Sequence, residues 1–201
     1  MEYAQRVGGQ TQPEDFGCAI GLIECTSITT GVVVTDAMLK HAPVEMLWAR
    51  TVSPGHWIAL FCGEVDEVRV ALTRAIEVGG EDIVDDLFIA NLAPAVPEAI
   101  RGPRAGLDID ALGIVEFKHV ASTIIAADAA VKTADVELIE LRLGMHLGGK
   151  GFFLLTGSTG DVEDAVAAAA AIGRERGTLV RDAVIARATE ELIPHLLGDL
   201  G

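Results

Sequence analysis

The sequence predicts an α+β protein made of two tandem ferredoxin-like domains, each with the element order β-α-β-β-α-β. Two observations carry this prediction. The first half of the chain is repeated, in register, in the second half, and both halves place short apolar segments and amphipathic segments in the same order. With 201 residues, 50% of them hydrophobic, the chain can bury a core in each half.

The repeat is visible in the residues themselves. The segment 19–24 reads AIGLIE and the segment 111–116 reads ALGIVE, so that Gly113 stands 92 residues after Gly21. The same offset relates Asp36-Ala37 to Asp128-Ala129, Lys40 to Lys132, Ala42 to Ala134, Val44-Glu45 to Val136-Glu137, and Arg50 to Arg142. Because the register holds through a strand, a helix and the next strand, the chain contains two copies of one domain.

Hydrophobic periodicity and turn residues give the elements of each copy. In the first copy we expect strands over 18–24, 46–52, 57–62 and 84–91, a helix over 28–41, and a second helix that begins within 63–66 and ends near Val78 at two glycines. In the second copy we expect strands over 112–116, 137–143, 152–156 and 179–186, with helices over 122–133 and 162–173. This order makes a mostly antiparallel sheet with both helices on one face.

Prolines and glycines punctuate the junction between the copies; they are Pro94, Pro97, Gly102, Pro103 and Gly106. The predicted domains therefore cover residues 17–101 and 109–201. Residues 1–16 are polar, without the basic and apolar regions of a signal peptide, and are expected to form a flexible tail.

Composition excludes several classes of function. A net charge of −15 argues against nucleic acid as a partner, and 4% aromatic residues leave no stacking platform for bases. No apolar run reaches the ~20 residues that a membrane helix needs, so the high mean hydropathy of +0.40 favours a subunit interface instead. Three cysteines without a CxxC pair (Cys18, Cys25 and Cys62) fit a reduced cytosol.

The glycine-rich segment 144–150 matches GxxxxGK, the pattern of a phosphate-binding loop, but Gly151 stands where that loop needs Ser or Thr. A strand follows it instead of a helix, so we interpret the segment as a β-β connection. Its counterpart in the first copy is the shorter segment 53–56, read as a turn with Pro54 second and Gly55 third. Both loops carry a histidine, which makes an axial contact or a pore worth considering.

The residues that could carry catalysis do not assemble into a known pattern. Glu24 and Glu116 end apolar strands and are interpreted as strand-end carboxylates, and 157–160 is interpreted as a helix cap and not a nucleophile motif. No HExxH or other paired metal spacing occurs among the five histidines, which are His41, His56, His119, His146 and His195. We therefore expect no enzyme activity, no metal site and no cofactor.

Each half resembles a bacterial microcompartment (BMC) shell domain. The resemblance is carried by Gly-Leu-Ile-Glu and Gly-Ile-Val-Glu in the first strands and by Asp-Ala-Met-Leu-Lys and Asp-Ala-Ala-Val-Lys in the first helices. A glycine-bearing loop and a Gly-Glu-Val or Gly-Asp-Val helix start follow in both halves. The unpermuted element order is similar to that of flat tandem-domain members, and most similar to the propanediol-utilisation trimer whose Cys-Pro-Gly loop holds a [4Fe-4S] cluster.

The resemblance implies a structural shell protein of a cytoplasmic microcompartment: a pseudohexameric homotrimer that tiles with shell hexamers and pentamers, meets encapsulated enzymes and passes small metabolites through a central pore. It implies a pore lined by Ser53, Pro54, Gly55, His56, Met145, His146, Leu147, Gly148 and Gly149. Lys40 and Lys132 match the family's lysine at the edge between oligomers. Ser53 replaces the cluster cysteine. An electron-transfer trimer with a metal at the pore and a trimeric small-molecule sensor are the alternatives.

Overall fold

The structure, a computed structural model, describes residues 19–103, 106, 109–144, 147–189, 191–192 and 195–196. Within them the chain forms two domains of the same architecture, each a four-stranded antiparallel sheet with two long helices. The predicted α+β class and the predicted element order are confirmed. No helix of the described part of the chain is long and apolar enough to cross a membrane.

The first domain contains strands β1 (Ala19–Cys25), β2 (Glu45–Val52), β3 (His56–Gly63) and β4 (Ile83–Ala90), with helices α1 (Ile28–His41) and α2 (Val65–Gly79). Its strands lie in the order β2-β3-β1-β4, and every neighbouring pair is antiparallel. Ser27 caps α1 by accepting a hydrogen bond from the backbone N of Thr30 at 3.2 Å.

A short helix, α3 (Ala95–Arg101), leads to the second domain. That domain contains strands β5 (Ala111–Phe117), β6 (Val136–Leu143), β7 (Gly151–Gly157) and β8 (Leu179–Ile185), with helices α4 (Val120–Thr133) and α5 (Thr159–Glu175). The strands lie in the order β6-β7-β5-β8, the same as in the first domain. Helix α5 begins three residues before the predicted start because Ser158 caps it, accepting a hydrogen bond from the backbone N of Asp161 at 3.3 Å.

No helix was expected among the prolines and glycines of the junction, but α3 lies there. Pro94 and Pro97 lie before the helix and in its first turn, where a missing backbone N–H is tolerated. The helix is held by burial: Val96 and Ala99 are both fully buried. It packs against β6 and α4 of the second domain.

A glycine at the same place in the first strand of each domain leaves room for the core. A Cβ on Gly21 would lie 2.5 Å from the ring of Phe61, and a Cβ on Gly113 would lie 2.6 Å from Leu155. Both distances are shorter than real Cβ contacts allow. This explains why the repeated Ala-x-Gly segment keeps its glycine while its neighbours vary among apolar residues.

The two domains place a large and a small residue on opposite sides of the same helix–strand contact. In the first domain Gly31 on α1 makes room for Trp57, whose indole donates a hydrogen bond to Thr35 at 3.1 Å. In the second domain the helix position carries Thr123 and the strand position carries Gly151, where a Cβ would lie 2.3 Å from the threonine hydroxyl. The large and small residues have exchanged sides, so the two copies can no longer replace each other residue for residue.

One apolar cluster joins the two domains. The side of the first sheet that carries no helix packs into the same cluster as α4 and the core of the second domain. The contributing residues of the first sheet are Ile20, Leu22, Ile58, Leu60, Leu87 and Ile89, all of them buried. The second domain therefore covers the helix-free side of the first sheet.

Candidate pore loops and assembly surfaces

The loop between β2 and β3 is a tight turn whose tip is exposed. The backbone N of Gly55 donates to the carbonyl oxygen of Val52 at 2.9 Å, and the Ser53–Pro54 peptide bond is cis. The turn thus begins at Val52, with Pro54 third and Gly55 fourth. The predicted turn, with Pro54 second and Gly55 third, was wrong by one position, because the hydrogen bond from Gly55 to Val52 makes proline the third residue. Ser53, Pro54 and Gly55 are all exposed.

The loop between β6 and β7 is also glycine-rich, as predicted. The backbone N of Gly144 donates to the carbonyl oxygen of Lys150 at 2.9 Å, which closes the loop at its base. Leu147 is half-buried, Gly148 is exposed and Gly149 is buried. Met145 and His146, two of the predicted pore residues, lie outside the described residues.

These two equivalent loops lie against each other. A Cβ on Gly149 would lie 2.5 Å from the carbonyl oxygen of Ser53, and a Cβ on Gly144 would lie 2.9 Å from Val52. Gly149 also has a φ of +86°, which L side chains rarely adopt. The glycines of the second loop are therefore what permits the two loops to meet backbone to backbone.

The GxxxxGK-like segment does not present its lysine to a ligand. The Lys150 ammonium donates to Glu116 Oε1 at 2.8 Å, within the same domain. Gly151 begins strand β7, so no helix N-terminus follows the loop. The interpretation as a β-β connection is confirmed.

Glu24 is a completely buried carboxylate at the junction of the two domains. Its Oε2 accepts a hydrogen bond from the backbone N of Val120, the first residue of α4, at 3.1 Å. Its Oε1 lies 2.9 Å from His56 Nδ1 and 3.5 Å from His119 Nδ1. A buried carboxylate at a helix N-terminus is favoured by the helix dipole. The interaction with Glu24 raises the pKa of His119, while burial opposes it.

The His56 ring thus turns towards the domain junction instead of the exposed tip of its loop. Its side chain is only 20% exposed. Sequence reasoning placed His56 with the loop but missed its partner Glu24. The signal available was that Glu24 and Glu116 are repeat counterparts, as are His56 and Lys150, and Glu116 meets Lys150 at the corresponding place.

A second polar network joins the domains at β4. Asp85, which is buried, accepts hydrogen bonds at Oδ2 from the Ser122 backbone N at 3.1 Å and from the Ser122 hydroxyl at 2.6 Å. The guanidinium of Arg176 pairs with Asp85 and also donates to the carbonyl oxygen of Asp86 at 2.8 Å. The network thus combines two buried bonds to Ser122 with charge-assisted bonds of the partly exposed Arg176, all of them across the junction of the two domains. The sequence analysis did not identify this network.

The apolar faces of α4 and α1 are equivalent by the repeat but differ in burial. On α4, Val120 and Ile124 are 0% exposed because they pack on the first domain. Their counterparts on α1 are Ile28, 41% exposed, and Val32, 49% exposed. Two further apolar residues of α1, Val33 and Leu39, are also exposed. We call these four exposed residues the α1 face.

The second sheet shows the complementary difference. On its helix-free side only Leu112, Ile139 and Leu154 form a buried cluster among the described residues. Ile114 and Phe152 are half-buried, although their counterparts Leu22 and Ile58 are completely buried. We call this side of the second sheet the open sheet face.

The two predicted edge lysines are both at the C-terminal end of a helix and both pair with an aspartate one turn earlier. Lys40 donates to Asp36 at 2.7 Å, and its side chain is 75% exposed. Lys132 donates to Asp128 at 2.6 Å and to the carbonyl oxygen of Asn91 at 2.7 Å, so it also ties the second domain to the first. The edge contact itself stays a prediction for both.

The thiols of the described residues are unsuited to hold a cluster. Burial, with the negative charges of Asp82 and Glu24, raises the pKa of the Cys25 thiol to about 11, and Cys62 is also buried. The loop tip carries the hydroxyl of Ser53 where a cluster would need a thiolate. Among the residues that the structure describes, no group of three or more His, Cys, Asp or Glu side chains could hold a metal ion.

Several known proteins are similar to this chain in sequence. The family model described as BMC domain matches residues 19–92 and again 111–188. The "Bacterial microcompartment shell protein PduT" of Citrobacter freundii is 37% identical over 174 residues, covering 87% of this chain and 95% of its own length. The "Carboxysome assembly protein CcmO" of Synechococcus elongatus is 26% identical over 200 residues, covering 92% of this chain and 71% of its own length.

Two solved structures are also similar. The crystal structure of a microcompartments protein from Desulfitobacterium hafniense has a TM-score of 0.75 and 42% sequence identity, covering 87% of this chain and 97% of that one. The fused permuted hexameric shell protein MSM0275 from the RMM microcompartment has a TM-score of 0.59 and 24% identity, covering 78% and 81%. The second likeness shows the fold alone.

Proposed function

Because this chain belongs to the BMC domain family, in which it is a structural shell protein, we propose that three copies close head to tail into a pseudohexameric trimer with a passage through its centre. One observation carries the proposal: the exposed α1 face is the repeat counterpart of the α4 face that is buried between the domains of one chain. The same contact, repeated between chains, would bury it.

The α1 face and the open sheet face fit this contact, although Ile109, Ala188 and Leu196 pack against the buried cluster of the sheet face. Within a chain, α4 lies against the first sheet at β4 and β1. By the repeat, α1 of the next copy would lie against the open sheet face at β8 and β5. Glu116 would then face the backbone N of Ile28, as Glu24 faces that of Val120. Burial of the large exposed side chains on α1 would supply part of the driving force. Full burial of such a side chain contributes roughly 1.5–3 kcal/mol, and each of these is already about half covered, so about half of that remains.

A contact of this kind is head to tail, because one surface meets a different surface of the next copy. Such contacts form closed rings when their rotation closes, and filaments when it does not. Since each chain already supplies two of the equivalent domains, a six-domain ring needs three chains. Native mass spectrometry should give three times 21.1 kDa for the purified protein. A stable monomer at micromolar concentration would contradict the proposal.

We further propose that the two loops that meet at Ser53 and Gly149 border the central passage. The contact between equivalent loops within one chain supports this, because ring symmetry would repeat it around the axis. Ser53 would then present hydroxyls and Gly148 would present backbone groups, which suits small polar metabolites.

Ser53→Cys tests the passage. Three thiols brought together at an axis would offer soft ligands, so anaerobic incubation with iron and sulfide should turn this variant brown while the native protein stays colourless. Thr73→Cys places a thiol on an exposed position of α2 and serves as the control, since it should also stay colourless. A colourless Ser53→Cys trimer would contradict the assignment of this loop to the axis.

We propose that Lys40 and Lys132 contact neighbouring oligomers, and that the trimer tiles with shell hexamers and pentamers around encapsulated enzymes in the cytoplasm. Lys40→Ala combined with Lys132→Ala should abolish ordered sheets in negative-stain images while native mass spectrometry still gives the trimer. Alanine is chosen because a carboxylate would stand beside Asp36 and Asp128. Arg74→Ala, on a half-buried position of α2, is the control. Sheets that persist would disprove the edge role.

The electron-transfer alternative is not favoured, because Ser53 replaces the cluster thiolate and the described cysteines are buried. We propose a non-enzymatic role, which the named shell relatives support.

A further inference from the structure

We propose that an ion pair between Arg181 of one copy and Asp82 of the next determines which domains meet between copies. Its charges are reversed relative to the ion pair between the two domains of one chain. This inference rests on the proposed trimer and names the residues that decide which domain meets which. Three observations on the described residues lead to it.

The first observation is the contact within the chain. Asp85 on strand β4 of the first domain meets two groups of the second domain: the hydroxyl of Ser122 in the first turn of α4, and the guanidinium of Arg176 in the loop that precedes β8. The hydroxyl and the guanidinium also touch each other, at 3.2 Å. The strand thus supplies a carboxylate, and the helix and loop supply a hydroxyl and a cation.

The second observation is what occupies the strand position in the second domain. Glu24 pairs with Asp85 across β1 and β4, and its repeat counterpart Glu116 pairs with Arg181 across β5 and β8. Arg181 is therefore the counterpart of Asp85. It is exposed, whereas Asp85 is buried. The strand charge has changed sign between the copies.

The third observation is what occupies the helix and loop positions in the first domain. Thr30 in the first turn of α1 is the counterpart of Ser122 and also carries a hydroxyl. Its hydroxyl donates to Asp82 Oδ2 at 2.5 Å, and Asp82 lies in the loop that precedes β4. Thr26 donates to Asp82 Oδ1 at 3.1 Å. In backbone position Asp82 corresponds to Thr178, because each accepts the equivalent backbone bond, from Thr26 and Lys118. Its carboxylate nevertheless bonds the helix hydroxyl that corresponds to the one Arg176 bonds in the second domain.

Both members of the contact have exchanged sign together. Strand Asp85 with loop Arg176 joins the domains within a chain, so strand Arg181 with loop Asp82 would join them between chains. A carboxylate that accepts from two hydroxyls still has lone pairs for a guanidinium. Because both sides reverse, the correct contact keeps its attraction.

The reversal also penalises wrong contacts. Two first domains side by side would place Asp85 opposite Asp82, and two second domains would place Arg181 opposite Arg176. Like charges at a contact cost several kcal/mol. First and second domains must therefore alternate around the ring, and this specificity comes from repulsion as well as attraction.

Charge reversal with rescue tests the pair. Arg181→Asp and Asp82→Arg should each raise the concentration at which trimers dissociate by about tenfold or more, and the double variant, which restores opposite charges, should recover most of that loss. Mass photometry on a dilution series gives the trimer fraction. Arg74→Asp makes the same charge change on α2, where the Arg74 side chain is 42% exposed, and should leave dissociation unchanged.

A milder pair of variants distinguishes loss of the contact between copies from misfolding of the variant. Asp82→Asn keeps an oxygen for Thr26 and Thr30, and Arg181→Gln removes only the charge; both should weaken the trimer while circular dichroism remains native. If the single reversals leave a native trimer unchanged, or if the double variant is no better than the singles, the pair is disproved while the trimer stands. If the native protein is itself monomeric, both proposals fall.

Discussion

Replacing Val32 with Asp is expected to convert the trimer into monomers while each monomer stays folded. Val32 is 49% exposed in a single chain, so a carboxylate there is tolerated by the isolated protein. Its counterpart Ile124 is 0% exposed against the first domain, so the equivalent contact between chains would bury the new charge. An unpaired charge in an apolar contact costs roughly 3–5 kcal/mol, which is more than a hundredfold in the dissociation constant at each contact.

The chain supplies its own control for this experiment. Val70 on α2 is exposed to a similar degree, at 45%, and its counterpart on α5 is Asp164, an aspartate that is already exposed. Val70→Asp should therefore leave the trimer intact in size-exclusion chromatography with light scattering. If Val32→Asp stays trimeric, or if both variants dissociate equally, the α1 face is not the contact surface.

Asp85→Ala is expected to lower the free energy of unfolding by about 3–5 kcal/mol. The substitution removes the acceptor of the Ser122 backbone N and hydroxyl. It also leaves the guanidinium of Arg176 at the junction without its carboxylate partner. Buried groups left without a partner account for most of such a loss. Urea unfolding at a fixed protein concentration, followed by circular dichroism, measures the change.

Glu77→Ala is the matched control, because it removes one partner of an exposed ion pair with Arg74 at 3.3 Å. Exposed pairs of this kind contribute at most about 1 kcal/mol. If Asp85→Ala destabilises the protein no more than Glu77→Ala does, the network at β4 does not hold the domains together.

Most of the fold could be predicted because the sequence contains two copies of the same domain. Alternating apolar segments and the repeat of Ala19–Glu24 at Ala111–Glu116 gave strands and helices close to their observed bounds. Helix α3 was missed because its local signals, two prolines within a few residues, point to a linker. What stabilises it is the burial of Val96 and Ala99 in the other domain, which no local pattern reports.

The candidate site was less predictable than the fold. The two loops could be paired from their equivalent places, but the turn at Val52 and the His56–Glu24 contact depend on tertiary structure. The network of Asp85, Ser122 and Arg176 joins residues far apart in sequence. A comparison of strand charges between the copies, Asp85 against Arg181, was the one signal that could have revealed it.

The apolar cluster that joins the domains bears on how the chain is made. The first domain leaves the ribosome with one face of its sheet, including Leu22 and Leu87, still uncovered, because α4 is synthesised later. At about 5–20 residues per second, that face stays bare for seconds. During this interval the nascent chain exposes an apolar surface. An mRNA truncated within the linker would therefore yield a product that aggregates instead of a stable single domain.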